Sequence, residues 1–336
     1  MGIKAADECV YVIWKRIRGL RYVNPINQDQ EKKKFFASPS YNPHFQYPPL
    51  KFDADYYKKK LRECKKHLDQ SGIAHLINAK IDKLILWIEL LENRGKEPYT
   101  KCGIAYYGKP SPELVETAKK ILAKKIKDNE QYTLSAKEVA EFLRRQAKRW
   151  NIPWSIEIKK HLGARADNVT SEKTIYLKHG EQFSVEDAKR LAIHELGVHA
   201  RRALMGEQQS YKIFLIGTAE YEATEEGLAA AVEEIKQVST PKVLKSYAGR
   251  VLAVHLSLKH SFRAVYSHLV EYFAPQEAYQ LTMRAKRGML DTSQPGAFTK
   301  DYIYLKGMEE VKKIKDIKKL FSGRIGIEDM PKEYFD

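Results

Sequence analysis

The sequence predicts an α+β fold, mostly helical, with a small antiparallel sheet placed immediately before one helix that concentrates the chemistry. Three observations carry this. Apolar residues recur at three- and four-residue spacing along most of the chain. Convincing alternation of apolar and polar residues occurs only between Trp154 and Leu177. One stretch, 184–206, combines a helix start, a helix stop and a His-Glu cluster.

Residues 1–40 read as an N-terminal extension, 41–325 as the main domain and 326–336 as a C-terminal tail. The run FFASPSYNPHFQYPPL is poor in helix signals, so Tyr41, Phe45 and Tyr47 are expected to pin an extended strap onto the body. Helical spacing then covers 53–70 and 73–92. Ser111 followed by Pro112 starts a third helix, with Pro at its first position. Ser135 and Glu138 form a capping box, which Leu134 and Val139 staple. SIEIKK and TIYLK, separated by a polar turn, read as the antiparallel strand pair. Two long helices follow, then a helical block to about Arg287 and a final basic helix near 307–320. No internal repeat is evident.

The chain has 336 residues, 43% hydrophobic and 11% aromatic, which places it among folded globular proteins rather than disordered ones. The longest apolar run, 81–91, is broken by Asp82, Lys83 and Glu89, so no membrane span is expected. The first residues match neither a secretory nor a myristoylation pattern. Cys9, Cys64 and Cys102 are odd in number and widely spaced, which suggests neither a disulfide framework nor a thiolate site. Cys64, at helical spacing from Leu61 and Leu68, reads as core, and a reducing, cytoplasmic setting is expected. The net charge of +16 favours anionic partners, including acidic polypeptide, although mixed runs such as KKKLRECKKH also suit solvated helix faces.

The stretch SVEDAKRLAIHELGVHARRALMG has Ser184 as N-cap, Asp187 three residues on, and Gly206 as a stop signal. Inside it lies His194-Glu195-Leu196-Gly197-Val198-His199. The usual zinc-peptidase helix spaces its histidines at i and i+4, with Glu as base. Here the separation is five, which on a regular α-helix turns them about 140° apart. Either the histidines do different work, or a π-bulge near Gly197 absorbs the extra residue. A third ligand must come from elsewhere. The next helix, TAEYEATEEGLAAAVEEIK, offers Glu225 and Glu226 beside small residues that permit close approach, and spacing does not choose between them. With Zn2+ in place, Glu195 is the candidate general base for hydrolysis. His255, His260 and His268 read as structural or surface residues, while His161 and His179 flank the strands and are weak candidates for a cleft.

At these residues the sequence resembles the tyrosine/phenylalanine metallocarboxypeptidases, which include microtubule-associated tyrosine carboxypeptidases and bacterial proteins named for a QEGLA motif. The resemblance runs from NPHFQY through AYYGKPSPE, the strand pair, HELGVH and TEEGLA to RAKRGMLDTSQPGAFTKDYIYLKG. It implies a zincin-like metallopeptidase fold, with His194, His199 and Glu226 as zinc ligands and Glu195 as base. Glu226, directly before Gly227, matches the motif glutamate, and Glu225 stands where the family often has Gln. It also implies removal of a C-terminal aromatic residue from a polypeptide. The terminal carboxylate then needs a cation, for which Arg284, Arg287 and Lys300 are candidates. Tyr302 and Tyr304 are candidate donors to the oxyanion, and TIYLK is a candidate to pair with extended substrate.

Two other readings compete. Dipeptidyl peptidase III also carries H-E-x-x-x-H, which would put the activity at the opposite chain end. A basic binding module for acidic tails or nucleic acid, with a vestigial metal site, would bind in a salt-dependent way insensitive to chelation. No aromatic-glycine RNA motif or recognisable DNA-reading helix supports nucleic acid.

Overall fold

In a computed structural model of the chain, which describes residues 2–17, 19–66, 68, 72–126, 130–160, 162 and 164–330, the expected extension is helical. Helix α1, Ile3–Ile17, buries Ala6, Val10, Ile13 and Ile17, one face of a 3.6-residue period. Helix α2 follows at Gln28–Ala37. Residues 38–53 then form the expected strap. Phe45 is buried, and the backbone N–H of Phe45 donates to Leu290 O at 3.0 Å. The Tyr47 hydroxyl donates to Met289 O at 2.8 Å and accepts from Gly288 N at 2.7 Å. The Tyr41 hydroxyl donates to the buried Glu31 carboxylate.

Helices α3, Ala54–Lys65, and α4, Gly72–Glu92, pack with α1 into one core containing Leu61, Ile77, Ile81 and Trp87. Cys64 is buried here as expected, but it forms a disulfide with Cys9 of α1. This corrects the reading of the cysteines as unpaired: the packing of α1 on α3 joins residues 55 apart in sequence. Helix α5, Tyr99–Tyr107, extends this layer. Helix α6, Pro112–Leu122, starts at Ser111, whose side chain accepts from Leu114 N.

Strand β1, Leu134–Ser135, leads into α7, Ala136–Arg149, whose capping box of Ser135 and Glu138 is present. Strands β2, Ser155–Lys159, β3, Ala166–Val169, and β4, Thr174–Lys178, form a sheet in the order β2-β4-β3. The expected antiparallel pair is therefore parallel: Ile156 stands opposite Ile175, and Ile158 opposite Leu177. The connection 160–173 is far longer than a hairpin turn and contains β3, which adds antiparallel to the other side of β4. TIYLK is consequently the central strand, with Thr174–Leu177 buried and both backbone edges taken, so it cannot receive substrate. Strand β5, Gln182–Phe183, pairs with β1.

Helix α8, Val185–Leu191, starts at Ser184, whose capping box with Asp187 is formed. Beyond residues 192–200 come α9, Arg201–Glu207, α10, Ile213–Ile216, and α11, Tyr221–Ile235. Helices α12, Pro241–Ser257, α13, Phe262–Leu269, and α14, Pro275–Lys286, make up the expected helical block. Helix α15 spans Ile303–Val311, earlier than the basic helix expected at 307–320. The basic run instead forms a turn and a 3-10 helix at Ile317–Ser322, where Leu320 alone is buried and a continuous apolar face is lacking. Ile327 and Met330 still pack in the core of α6, α11, α12 and α15. No helix among the described residues is long and apolar enough to cross a membrane.

Candidate metal centre

Between α8 and α9 the chain winds as a π-helix over Ala192–Ala200. Bonding from i to i+5 returns residues five apart to the same side. His194 and His199 consequently face one another, ring centroids 4.6 Å apart and planes at 83°. The widening extends over the whole nine-residue segment rather than a single bulge at Gly197. A Cβ at Gly197 would meet its neighbours at ordinary contact distances, so space does not demand glycine there.

Helix α11 lies opposite and supplies acids to both rings. Glu226 Oε2 lies 3.7 Å from His194 Nε2 and 3.7 Å from His199 Nε2. Ligand atoms of these three residues all fall within 4.8 Å of one another. A tetrahedral ion with bonds of about 2.0–2.1 Å separates adjacent donors by roughly 3.3 Å, a few tenths of an ångström less than each Glu226–histidine separation. Two imidazole nitrogens and a carboxylate form a donor set suited to zinc. Burial opposes the charged form of Glu226, but the hydrogen bond from His194 and the charges of Lys300 and His199 hold it down at about 2. Burial likewise lowers His194, yet Glu226, Glu233 and Glu195 outweigh it and push the ring up to about 10.

Two further acids complete the arrangement: Glu225, which spacing left open as a third ligand, and Glu233, which sequence reading gave no role. His194 Nδ1 donates to Glu233 Oε1 at 2.6 Å, and His199 Nδ1 donates to Glu225 Oε1 at 3.0 Å, since a carboxylate can only accept. Glu226 and Glu233 lie seven residues apart, within about 20° on a regular helix, so one face reaches both nitrogens of His194. That i,i+7 spacing was the available signal for Glu233. Close approach on the other side of α11 is made by glycine: a Cβ on Gly227 would collide with the backbone of Gly307 in α15.

Glu195 is buried beside the histidines and lines a cleft of about 640 Å³. Strand β3 forms one wall with Ala166, Asp167, Asn168 and Val169, and Asn168 Nδ2 donates to Glu195 O at 3.2 Å. Trp14, Ile17, Leu84, Trp87 and Tyr106 add apolar and aromatic lining. Arg284, Arg287, Lys300 and Tyr304 also line the cleft. One carboxylate, Asp301, serves both arginines, from Arg284 Nε and from Arg287 Nη2 at 3.3 Å, which leaves one positive charge in surplus. Arg287 Nε is buried with no partner among the described residues. Lys300 Nζ sits 3.7 Å from Glu226 Oε1 and 3.5 Å from Glu222. Burial and the Glu226 charge push the Tyr304 hydroxyl up, so it stays protonated near neutrality.

Tyr302 does not join this group. Its hydroxyl donates to Tyr107 O behind the cleft wall, which corrects its assignment as an oxyanion donor. His179 is exposed and does not line the cleft, His161 lies outside the described residues, and His255, His260 and His268 stand apart from it.

A model of the family described as "Microtubule-associated tyrosine carboxypeptidase" matches residues 33–333. Microtubule-associated tyrosine carboxypeptidase 1 of Mus musculus is 26% identical over 293 residues, covering 85% of this chain and 55% of its own length. The Homo sapiens protein of that name is 24% identical over 300 residues, covering 86% and 55%. Putative tyrosine carboxypeptidase MATCAP2 of Mus musculus is 30% identical over 131 residues, 37% of this chain and 24% of its own. The chain thus spans about half the length of the first of these relatives. With a match over nearly the whole chain, this protein belongs to the microtubule-associated tyrosine carboxypeptidase family.

Proposed function

We propose that the protein is a zinc carboxypeptidase that removes a C-terminal aromatic residue, Tyr or Phe, from a polypeptide tail. The observation that carries this is the convergence of His194 Nε2, His199 Nε2 and Glu226 Oε2 beside Glu195, in a cleft also lined by Arg284, Arg287 and Lys300. The names of the relatives support the tyrosine specificity. When bound, zinc would lower the pKa of water and polarise the scissile carbonyl.

The chain's own residues do the rest. Glu195 takes the proton from the attacking water and returns it to the leaving amine, a role that needs a carboxylate held beside the reacting atoms. The Tyr304 hydroxyl, protonated at working pH, donates to the carbonyl oxygen as it gains charge. Arg287, with a buried unpartnered Nε, receives the terminal carboxylate, with Arg284 and Lys300 contributing to the field. The aromatic lining receives the terminal side chain. Strand β3, whose outer edge borders the cleft, is the element placed to pair with extended substrate. The net charge of +16 would favour acidic tails. The Cys9–Cys64 disulfide counts against the reducing setting expected from the sequence.

A peptide ending in a free aromatic acid, compared with its amide, tests the reading. Release of the last residue from the acid alone is expected. Equal cleavage of the two would remove the carboxylate-recognition step, and salt-dependent tail binding unaffected by chelation, with no cleavage, would favour a binding module.

A further inference from the structure

We infer that Glu233 and Glu225 are positioning residues for the two histidines, and that Glu233 has the greater influence on the metal. The inference rests on the zinc reading above and deepens it.

Each histidine can present either ring nitrogen, and the hydrogen bond on one nitrogen decides which remains to bind an ion. Both histidines give Nδ1 to a buried acceptor and turn Nε2 toward Glu226. The two acceptors differ in how much of their charge is already neutralised. Glu225 is shared by two guanidiniums: Arg202, whose Nη1 donates to Glu225 Oε2, and Arg324, at 3.3 Å. Glu233 meets one guanidinium, Arg190 at 3.2 Å, and the Tyr247 hydroxyl at 3.3 Å. Its bond to the ring is also shorter, 2.6 Å against 3.0 Å. A carboxylate with more unneutralised charge and a shorter bond pulls harder on the Nδ1 proton, which makes the opposite nitrogen a better donor to a metal.

The supports differ as well. Arg202 is caged by Leu320 O at 2.8 Å and Gly323 O at 3.1 Å, and its Nη2 reaches Ile325 O at 2.7 Å. Glu225 thus ties His199 to the C-terminal segment through Arg202. Glu233 sits on the face of α11 that also carries Glu226, so His194 is gripped at both nitrogens by one helix.

The test measures the apparent zinc dissociation constant by competition with a chromogenic chelator on the full chain, together with the visible spectrum of the cobalt-loaded protein. Glu233→Leu is expected to weaken zinc about 100-fold, whereas Glu233→Gln, which keeps an acceptor oxygen, loses about 10-fold. Glu225→Gln is expected to lose less than Glu233→Gln. The cobalt spectrum should shift in Glu233→Leu and revert largely in Glu233→Gln, a rescue that a packing role alone would not give. Zinc bound as tightly by Glu233→Gln as by the wild type would overturn the inference, and so would a larger loss in Glu225→Gln. If Glu233→Leu fails to fold, the two glutamine variants still decide the order. A wild type without zinc affinity fails the metal reading itself, a separate result seen before any variant is made.

Discussion

The π-helix Ala192–Ala200 and helix α11 meet across the same three donor atoms, but they reach that position by opposite means. In the first, the histidines are five residues apart, a spacing an α-helix cannot place on one face, and the backbone widens to suit the side chains. In the second, Glu226 and Glu233 already stand at regular helical spacing, and the neighbour gives way instead: Gly307 has no side chain where Gly227 must pass. Deformation supplies geometry on one side of the site, and glycine-on-glycine packing supplies position on the other. The difference teaches that the irregular segment turns the two histidines to one side while the regular one fixes the distance to Glu226.

The largest effect should come from the π-helix. Glu195→Gln keeps the shape but removes the base, and turnover should fall about 1,000-fold with metal content retained. Activity near the wild type would break the assignment of roles between the two segments. The α11 side should fail differently: Gly307→Ala forces α15 from α11 and should cost about 3 kcal/mol of stability, read as a lower urea midpoint. A variant as stable as the wild type would mean that the close crossing does not fix α11.

A smaller change lies among the cationic side chains of the cleft. Arg287→Ala should remove about 2 kcal/mol of substrate binding and raise KM roughly 30-fold for a free-acid peptide, with little change for binding of the amide. Equal effects on both would sharpen the comparison by moving the carboxylate site to Arg284 or Lys300. The smallest is a pH effect on the metal-free protein. The folded pKa of Glu226, about 2, lies below its ordinary 4.5, so its stabilising contribution is complete above 4.5 and is lost as pH falls toward 2. Acid titration of Glu226→Gln should lack that part of the wild-type loss; superimposable acid curves would contradict it.

Much of the helical plan was legible in the sequence. Ser111-Pro112, the Ser135 and Ser184 capping boxes and the apolar periods are local signals, and local signals survive folding. The conflict between two histidines and one helix was legible too, because a five-residue spacing admits few solutions. What escaped was non-local. The strand direction depended on β3 occupying the connection, and Ala166–Val169 shows no alternation to announce a strand. The Cys9–Cys64 pair follows from helix packing rather than spacing. Tyr302 and Tyr304 are near neighbours in sequence, yet only Tyr304 reaches the cleft, since Tyr302 precedes the first turn of α15 and donates to Tyr107. Glu233 was hidden among the surface-like acids of VEEIK until its burial against His194 separated it from Glu234.

Metal content of the purified protein tests the central claim most directly, taken on the wild type, Glu195→Gln and Glu226→Ala in parallel. The account predicts one zinc per chain in the wild type and in Glu195→Gln, and loss of most of it in Glu226→Ala. A wild type without stoichiometric metal, or a Glu226→Ala protein that keeps its zinc in full, would contradict it.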